Sequence, residues 1–312
     1  MIKPKEILEL EKLYNIALNE IALDEDITKT EKHNCYQLGS NKEIIRLNLC
    51  HNRITEIRGL EQLTRLQELY LYGNDIAEIK GLENLTQLQT LSLSHNQITE
   101  IKGLENVTQL QTLCLSHNQI TELKGFEQLA QLQKLTLYGN LIVEIRGLEQ
   151  LTQLQELVIL GNQITEIKGL ENLIQLRELC LSDNQIAEIK GLENLTQLLT
   201  LSLSYNKITE IKGLDKLARL QMLSLEDNKI SEIKGLENLT QLQELYLYDN
   251  EIADTKGLEQ LPQLQTLVLS GTIKGLDKKI AQLRKLYLSH NKNIRIKELQ
   301  EFDLVEILIV EN

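Results

Sequence analysis

LQTLSLSHNQITEIKGLENVTQ, residues Leu88–Gln109, is a unit that the chain repeats with small changes over most of its length. Its asparagine returns every 22 residues, at Asn52, Asn74, Asn96, Asn118, Asn140, Asn162, Asn184, Asn206, Asn228 and Asn250. A fixed period of this length marks a stack of like units rather than a set of independent domains. In the L-x-L core, Leu91 and Leu93 point to one face and the residue between them to the other, as on a β-strand. One strand this short cannot bury a leucine face alone. A second copy stacked about 4.8 Å away covers it and pairs the backbones in parallel. The rest of the unit must return the chain in too few residues for a long helix, so extended backbone with short 3₁₀ pieces is expected.

Two framework letters have a backbone reason. Gly81, Gly103 and their equivalents through Gly257 are expected where the chain turns and a β-carbon would clash. The repeated asparagine sits where the strand ends. Its amide both donates and accepts, so it can satisfy backbone groups opened by the bend. With this spacing of leucine and asparagine, from about residue 41 to the end, the sequence resembles the leucine-rich repeat family. The I-x-E-I-K-G-L return looks most like the SDS22-like subclass, shared by a phosphatase regulatory subunit and the bacterial internalins. The resemblance implies an α/β solenoid: a curved horseshoe with a parallel concave sheet, short 3₁₀ or extended convex segments, and the ten asparagines as a buried structural ladder.

Composition narrows the class. Aromatic residues are only 4%, so leucine and isoleucine supply the core in many thin layers. The net charge of −12 argues against a nucleic-acid backbone as partner, which would need a basic footprint. No run approaches the roughly 18 apolar residues of a membrane span. The charged start (Lys3, Lys5, Glu6, Glu9, Glu11) is unlike a signal peptide. Cys35, Cys50, Cys114 and Cys180 show no framework spacing. A soluble protein of a reducing, cytoplasmic compartment is expected, with no membrane partner.

Residues 1–33 are read as an amphipathic capping helix and linker, and 34–312 as the solenoid. Ile7, Leu10, Leu13, Tyr14, Ala17 and Ile21 recur at helical spacing, which extends the expected helix from Pro4 to about Asp24. Such a helix would cover the bare apolar end of the first coil. Thr28–Lys42 reads as irregular, with a turn at Gly39-Ser40-Asn41. The register breaks near 267–275: Gly257 and Gly275 are 18 residues apart, and a ladder asparagine is lost. Leu304–Asn312 restates the strand, and self-association through this edge strand is a further expectation.

The framework columns hardly vary between repeats, whereas the residues pointing away from the leucine core do. These columns are the candidate binding surface, expected to be concave. They carry Tyr70 and Tyr72, then Tyr138 with Val158 and Leu160, then Tyr205, Asp227 and Asp249 beside Tyr246, Tyr248 and Tyr287. Tyrosine offers apolar area and a hydroxyl at low rotamer cost. The leading set is Tyr246, Tyr248 and Tyr287 with Asp227 and Asp249 as a charged rim. Tyr138, Val158 and Leu160 form the second. His95 and His117 share a column, but a flat ladder does not converge on a metal, and no metal or cofactor is expected. No nucleophile–base arrangement, phosphate-binding loop, G-x-G-x-x-G or H-E-x-x-H occurs, so the chain does not read as an enzyme. The expected function is a non-catalytic scaffold for a protein partner. The alternatives are a regulatory subunit of a phosphatase or other signalling enzyme, or the sensing region of a longer multidomain protein.

Overall fold

The computed structural model describes residues 3–28, 33–270 and 283–289, and the backbone of 306–310. The chain forms two units, Met1–Ile142 with Arg146–Leu154, and Val143–Ile145 with Gln155–Asn312.

The first unit opens with helix α1 (Lys5–Tyr14), whose Ile7 and Leu10 are fully buried. The helix ends ten residues before the hydrophobic spacing suggests. Asn15 takes a left-handed conformation, φ 54°, and its N–H returns to the Glu11 carbonyl, closing the last turn. Beyond it Leu18, not Ala17, turns inward, and its N–H donates to the Glu11 carboxylate at 2.6 Å. Lys3 donates to the same carboxylate, and these bonds hold it below the usual carboxylate range, the Lys3 bond contributing most. Tyr14 ties α1 to the first coil, donating to the Arg58 carbonyl at 2.7 Å and accepting from the Arg58 N–H at 3.0 Å.

The segment after the helix is also more regular than its polar sequence suggests. β1 (Asn19–Glu20) pairs in parallel with β2 (Cys35–Leu38), which pairs antiparallel with β3 (Ile44–Asn48). The expected turn at Gly39-Ser40-Asn41 joins this hairpin, with Lys42 N–H donating to the Gly39 carbonyl. Tyr36 and Gln37 are buried, and Gln37 satisfies its amide on the carbonyls of Ala22 and Glu25, so a polar letter here does not mean an exposed one.

From β3 the regular coils run in parallel: β4 (Glu68–Tyr70), β5 (Thr90–Ser92), β6 (Thr112–Cys114) and β7 (Lys134–Thr136). In the second unit follow β8 (Glu156–Val158), β9 (Glu178–Cys180), β10 (Thr200–Ser202), β11 (Met222–Ser224), β12 (Glu244–Tyr246), β13 (Thr266–Ser270), β14 (Lys285–Ser289) and β15 (Glu306–Val310), each parallel to the next. Register is kept column by column: Glu68 faces Thr90, Leu69 faces Leu91 and Tyr70 faces Ser92. The fold is a parallel-strand solenoid with little helix.

The core is a stack of identical layers. In one coil Leu88, Leu91, Leu93, Ile98, Ile101, Leu104 and Val107 are all buried. Each such side chain contributes about 1.5–3 kcal/mol. The return is two successive tight turns, Leu85 N–H to Leu82 O at 2.9 Å and Leu88 N–H to Leu85 O at 3.0 Å. Three-residue spacing in this 3₁₀-like path brings Leu82, Leu85 and Leu88 to the same inner side. Leu258–Gln260 completes a 3₁₀ turn. Phe126 is accommodated in the core, fully buried. Gly103, φ 81°, packs so closely that a β-carbon would collide with the Ile79 carbonyl oxygen.

The asparagines join coil to coil. Asn74 Oδ1 accepts from the N–H groups of Asn52 and Ile54, both at 3.0 Å. Its Nδ2 donates to the carbonyls of Leu49 at 3.0 Å and Leu71 at 2.9 Å. Asn184 repeats the pattern in the second unit with Ile164, Ile159 and Leu181. Leu283, Leu286 and Leu288 resume the buried spacing, while the expected deletion after Gly271 lies outside the described residues. Among the described residues no helix is long and apolar enough to cross a membrane.

Candidate interaction face

On the described coils the two apolar residues of the L-x-L pattern go inward (Leu91 and Leu93, or Leu157 and Ile159), and the residues before, between and after them line the other face of the sheet. The position that follows, just before the ladder asparagine, has a backbone property the sequence does not announce. It is left-handed throughout: φ is 59° at His51, 68° at Gly73, 56° at His95, 53° at His117 and 64° at Gly139 in the first unit. It is 65° at Gly161, 52° at Asp183, 55° at Tyr205, 49° at Asp227 and 50° at Asp249 in the second. Glycine takes this conformation freely, and Asp and His are enriched there. The aspartates of the expected rim therefore have a conformational reason to be where they are as well as a chemical one. Tyr205 has no such reason. It is bulky, left-handed and 57% exposed.

In the second unit Tyr246 and Tyr287 flank Val268 on successive strands in the middle column. The Tyr246 hydroxyl donates to Glu244 Oε2 at 2.6 Å, and burial first, then this bond, pushes its pKa up to about 12. Tyr248 is half-buried, and its carbonyl accepts from the Asp227 N–H at 2.9 Å. The Asp249 N–H donates to Ser270 Oγ at 2.7 Å. The charge of Asp227 raises the Tyr205 phenol, which also donates to that carboxylate. Glu226 sits one position before Asp227, half-buried, with its carboxyl raised by burial and then by Asp227. Tyr205, Asp227, Asp249, Tyr246, Tyr248 and Tyr287 thus belong to adjoining coils of one unit. Val158 and Leu160 are half-buried on the first coil of the same unit.

Tyr70, Tyr72 and Tyr138 belong to the first unit. The Tyr70 hydroxyl donates to Glu68 Oε2 at 2.7 Å, the same pairing as Tyr246 with Glu244, and burial raises its pKa. Tyr72 and Tyr138 instead belong to a ribbon of rings that sequence reasoning missed. Centroids follow at 4.6 Å from His33 to His51, 5.0 Å to Tyr72, 4.8 Å to His95, 4.1 Å to His117 and 4.4 Å to Tyr138. Most contacts are edge-to-face, the arrangement ring quadrupoles favour. Glycine makes room for it: a β-carbon on Gly73 would lie 2.6 Å from His51 Nδ1, and one on Gly139 2.9 Å from His117 Nδ1. The signal was present in the sequence as a histidine one period ahead of Tyr-Gly, at His51 before Tyr72-Gly73 and His117 before Tyr138-Gly139. The rings stack rather than converge, and among the described residues no group of three or more His, Cys, Asp or Glu is placed to hold a metal.

The return segments carry exposed Glu–Lys pairs, Glu78 with Lys80 and Glu188 with Lys190 among them. Exposed pairs of this kind contribute little to stability.

Comparison with known proteins agrees with this geometry. No curated protein matches the sequence. An internalin (inlF) from Listeria monocytogenes superposes with a TM-score of 0.72 at 28% identity, over 88% of this chain and 91% of its own. An internalin C2 (inlC2) from the same organism superposes with a TM-score of 0.57 at 34% identity, over 61% and 84%. The LRIM1/APL1C complex, with a TM-score of 0.66 at 22% identity over 92% and 66%, shares the fold. Scaffolds of this type generally serve protein–protein interaction and not catalysis. The family model for leucine-rich repeats in two copies matches nine windows from 42–84 to 240–278, and the chain belongs to the leucine-rich repeat family.

Proposed function

We propose that this chain is a non-catalytic scaffold that grips a protein partner on the outward face of its strands, chiefly in the second unit. The observation that carries the reading is the contrast between columns. The inner columns are leucine or isoleucine in every coil. The outer columns of adjoining coils hold Tyr205, exposed, and Tyr246, Tyr248 and Tyr287, half-buried, with Asp227 and Asp249 beside them. A few aromatic anchors bordered by charge are what most interface energy rests on. The Glu244 bond holds the Tyr246 ring in one orientation before any partner arrives, which lowers the ordering cost of binding.

The test begins with a partner isolated on the immobilised wild-type chain and identified. Its affinity is then measured for Y246A/Y248A. A loss of at least about 700-fold at an unchanged melting temperature is expected, equivalent to two truncations of about 2 kcal/mol each. Unchanged affinity would remove this face from the reading.

A narrower form of the proposal is a regulatory subunit of a phosphatase or other signalling enzyme. It is supported by the SDS22-like return I-x-E-I-K-G-L, as in Ile98 to Leu104. A phosphatase eluting with the wild-type chain and not with Y246A/Y248A would favour it. The reading puts the chain in a reducing, cytoplasmic setting. None of its four cysteines forms a disulfide, Cys35 and Cys50 are buried, and burial pushes the Cys50 thiol up to about 11, away from the reactive thiolate.

A further inference from the structure

We propose that the ring ribbon of the first unit is an acid-sensitive element: its stacked imidazoles loosen when the medium acidifies and His95 takes up a proton. The argument starts from geometry. Four imidazoles, His33, His51, His95 and His117, lie in one line of touching rings, separated only by Tyr72. His95 and His117 are in direct contact at 4.1 Å, so protonating one makes protonating the other costly. Histidine is the side chain whose ordinary titration falls in this range.

Among the described residues little lies close in sequence to neutralise the charge. On the coils that carry the rings, the described charged residues nearest in sequence are Arg53, Glu68, Asp75 and Lys134. Glu68 is already paired with Arg46 at 2.8 Å. Asp75 already accepts from Gln97 Nε2 at 3.1 Å. Arg53 and Lys134 carry the same sign as a protonated ring. The other titratable side chains beside the rings on these coils, among the described residues, are the phenols of Tyr72 and Tyr138 and the thiols of Cys50 and Cys114.

The rings also sit on the bonds that join the coils. His51 N–H donates to the Tyr72 carbonyl at 2.9 Å, His95 N–H to Ser116 at 2.8 Å and His117 N–H to Tyr138 at 2.6 Å. Repulsion between rings on adjacent coils therefore acts along the same direction as these bonds and opposes them. His95 is held below the usual imidazole value, by burial first and then by His117 and His51. Its neutral form is favoured by folding. The stability it contributes is complete above the ordinary imidazole pKa and is lost as pH falls from there through the lower folded value. The rest of the chain pushes the other way, since acidification toward the sequence pI of about 5.1 removes the repulsion of a net charge of −12.

The deciding experiment is thermal unfolding of the full chain at several pH values between neutral and mildly acidic, beside H95N/H117N. Asparagine tolerates the left-handed backbone and does not titrate. The expected result is a wild-type melting temperature that drops by several degrees relative to the variant on acidification. Parallel pH slopes would overturn the proposal. A measurement on the wild-type chain alone covers a variant that does not fold: the ring-proton resonance of His95 is followed by NMR across the same range. A midpoint below the ordinary value of about 6.5 is expected, and one at or above it overturns the proposal.

Discussion

The position before the ladder asparagine holds different chemistry in the two units on the same backbone. In the first unit it reads His51, Gly73, His95, His117, Gly139, and in the second Gly161, Asp183, Tyr205, Asp227, Asp249. Every one of these residues is left-handed. The common backbone narrows the choice of residue but does not pick the sign of charge. The first unit uses the column to line up imidazoles against tyrosines, and the second to set carboxylates beside them. A charge count along this column would treat both patterns as binding chemistry, whereas part of each is conformational. The residue least explained by backbone preference is Tyr205, which makes it the more informative functional marker.

The largest expected effect tests whether the two units share one frame. Asn118 satisfies the Ile98 N–H at 2.9 Å and the Leu93 and Leu115 carbonyls at 3.0 Å. Asn206 does the same for Ile186 at 2.9 Å and for Leu181 and Leu203 at 3.0 Å. Asn118→Ala and Asn206→Ala each leave one buried N–H without an acceptor, at about 1–3 kcal/mol, and take one of two amide donors from each of two carbonyls, at about 0.5–1.5 kcal/mol apiece. Each variant is expected to lose about 3 kcal/mol in denaturant unfolding. Markedly unequal losses would break the equivalence of the frames.

Glycine substitutions separate frame from ribbon. Gly103→Ala forces a β-carbon onto a backbone carbonyl that cannot move without shifting a coil, and a loss above about 2 kcal/mol is expected. At Gly73 the obstacle is the His51 side chain, which can swing aside. Gly73→Ala should cost about 1 kcal/mol, mostly for the left-handed backbone, and displace the His51 ring resonance. Equal costs at the two sites would show that the ribbon is as rigid as the core. Tyr205→Asn sharpens the other side of the comparison. Asparagine accepts this backbone more readily, so stability should hold or rise slightly while partner affinity falls. Falling stability would show that Tyr205 is a structural residue.

Much of this was legible in the letters because the period forces it. Leu91 and Leu93 can only face a core if Leu69 and Leu113 cover them, and that requirement sets strand direction and register together. Gly103 was legible for the same reason, since a turn between stacked layers leaves no room for a side chain. The end of α1 was not. Ala17 and Ile21 continue the helical spacing, and only the left-handed turn at Asn15 and the pairing of Asn19 with Cys35 overrule it. The ribbon was hidden by a different cause. His51 and Tyr72 are 21 residues apart, one less than the period, so they fall in different columns and no column comparison brings them together. A side chain leaning onto the next coil is invisible to an alignment of repeats with themselves.

The smallest expected effect reverses the pH argument in the second unit. Glu226 is half-buried, and burial first, then Asp227 and Asp249, raise its carboxyl above the usual range, against a hydrogen bond from Ser224 that lowers it. The folded chain thus holds this proton more tightly than the unfolded chain. The stability gained from it is present below the unfolded carboxylate pKa and is lost as pH rises through the folded one. Glu226→Gln, which keeps the shape and cannot ionise, should raise the melting temperature slightly near neutral pH and change it little in acid. The equivalent positions of the first unit are Cys50, Tyr72, Ser94, Ser116 and Tyr138, with no carboxylate among them. Acid should therefore loosen the first unit at His95 and His117 while tightening the second at Glu226. Hydrogen exchange corrected for intrinsic pH dependence reads both at once, at the amides of His95 and His117 and at those of Glu226 and Asp227. Protection that moves in the same direction at both sites would mean that net charge, and not these particular side chains, governs the response of the fold to acid.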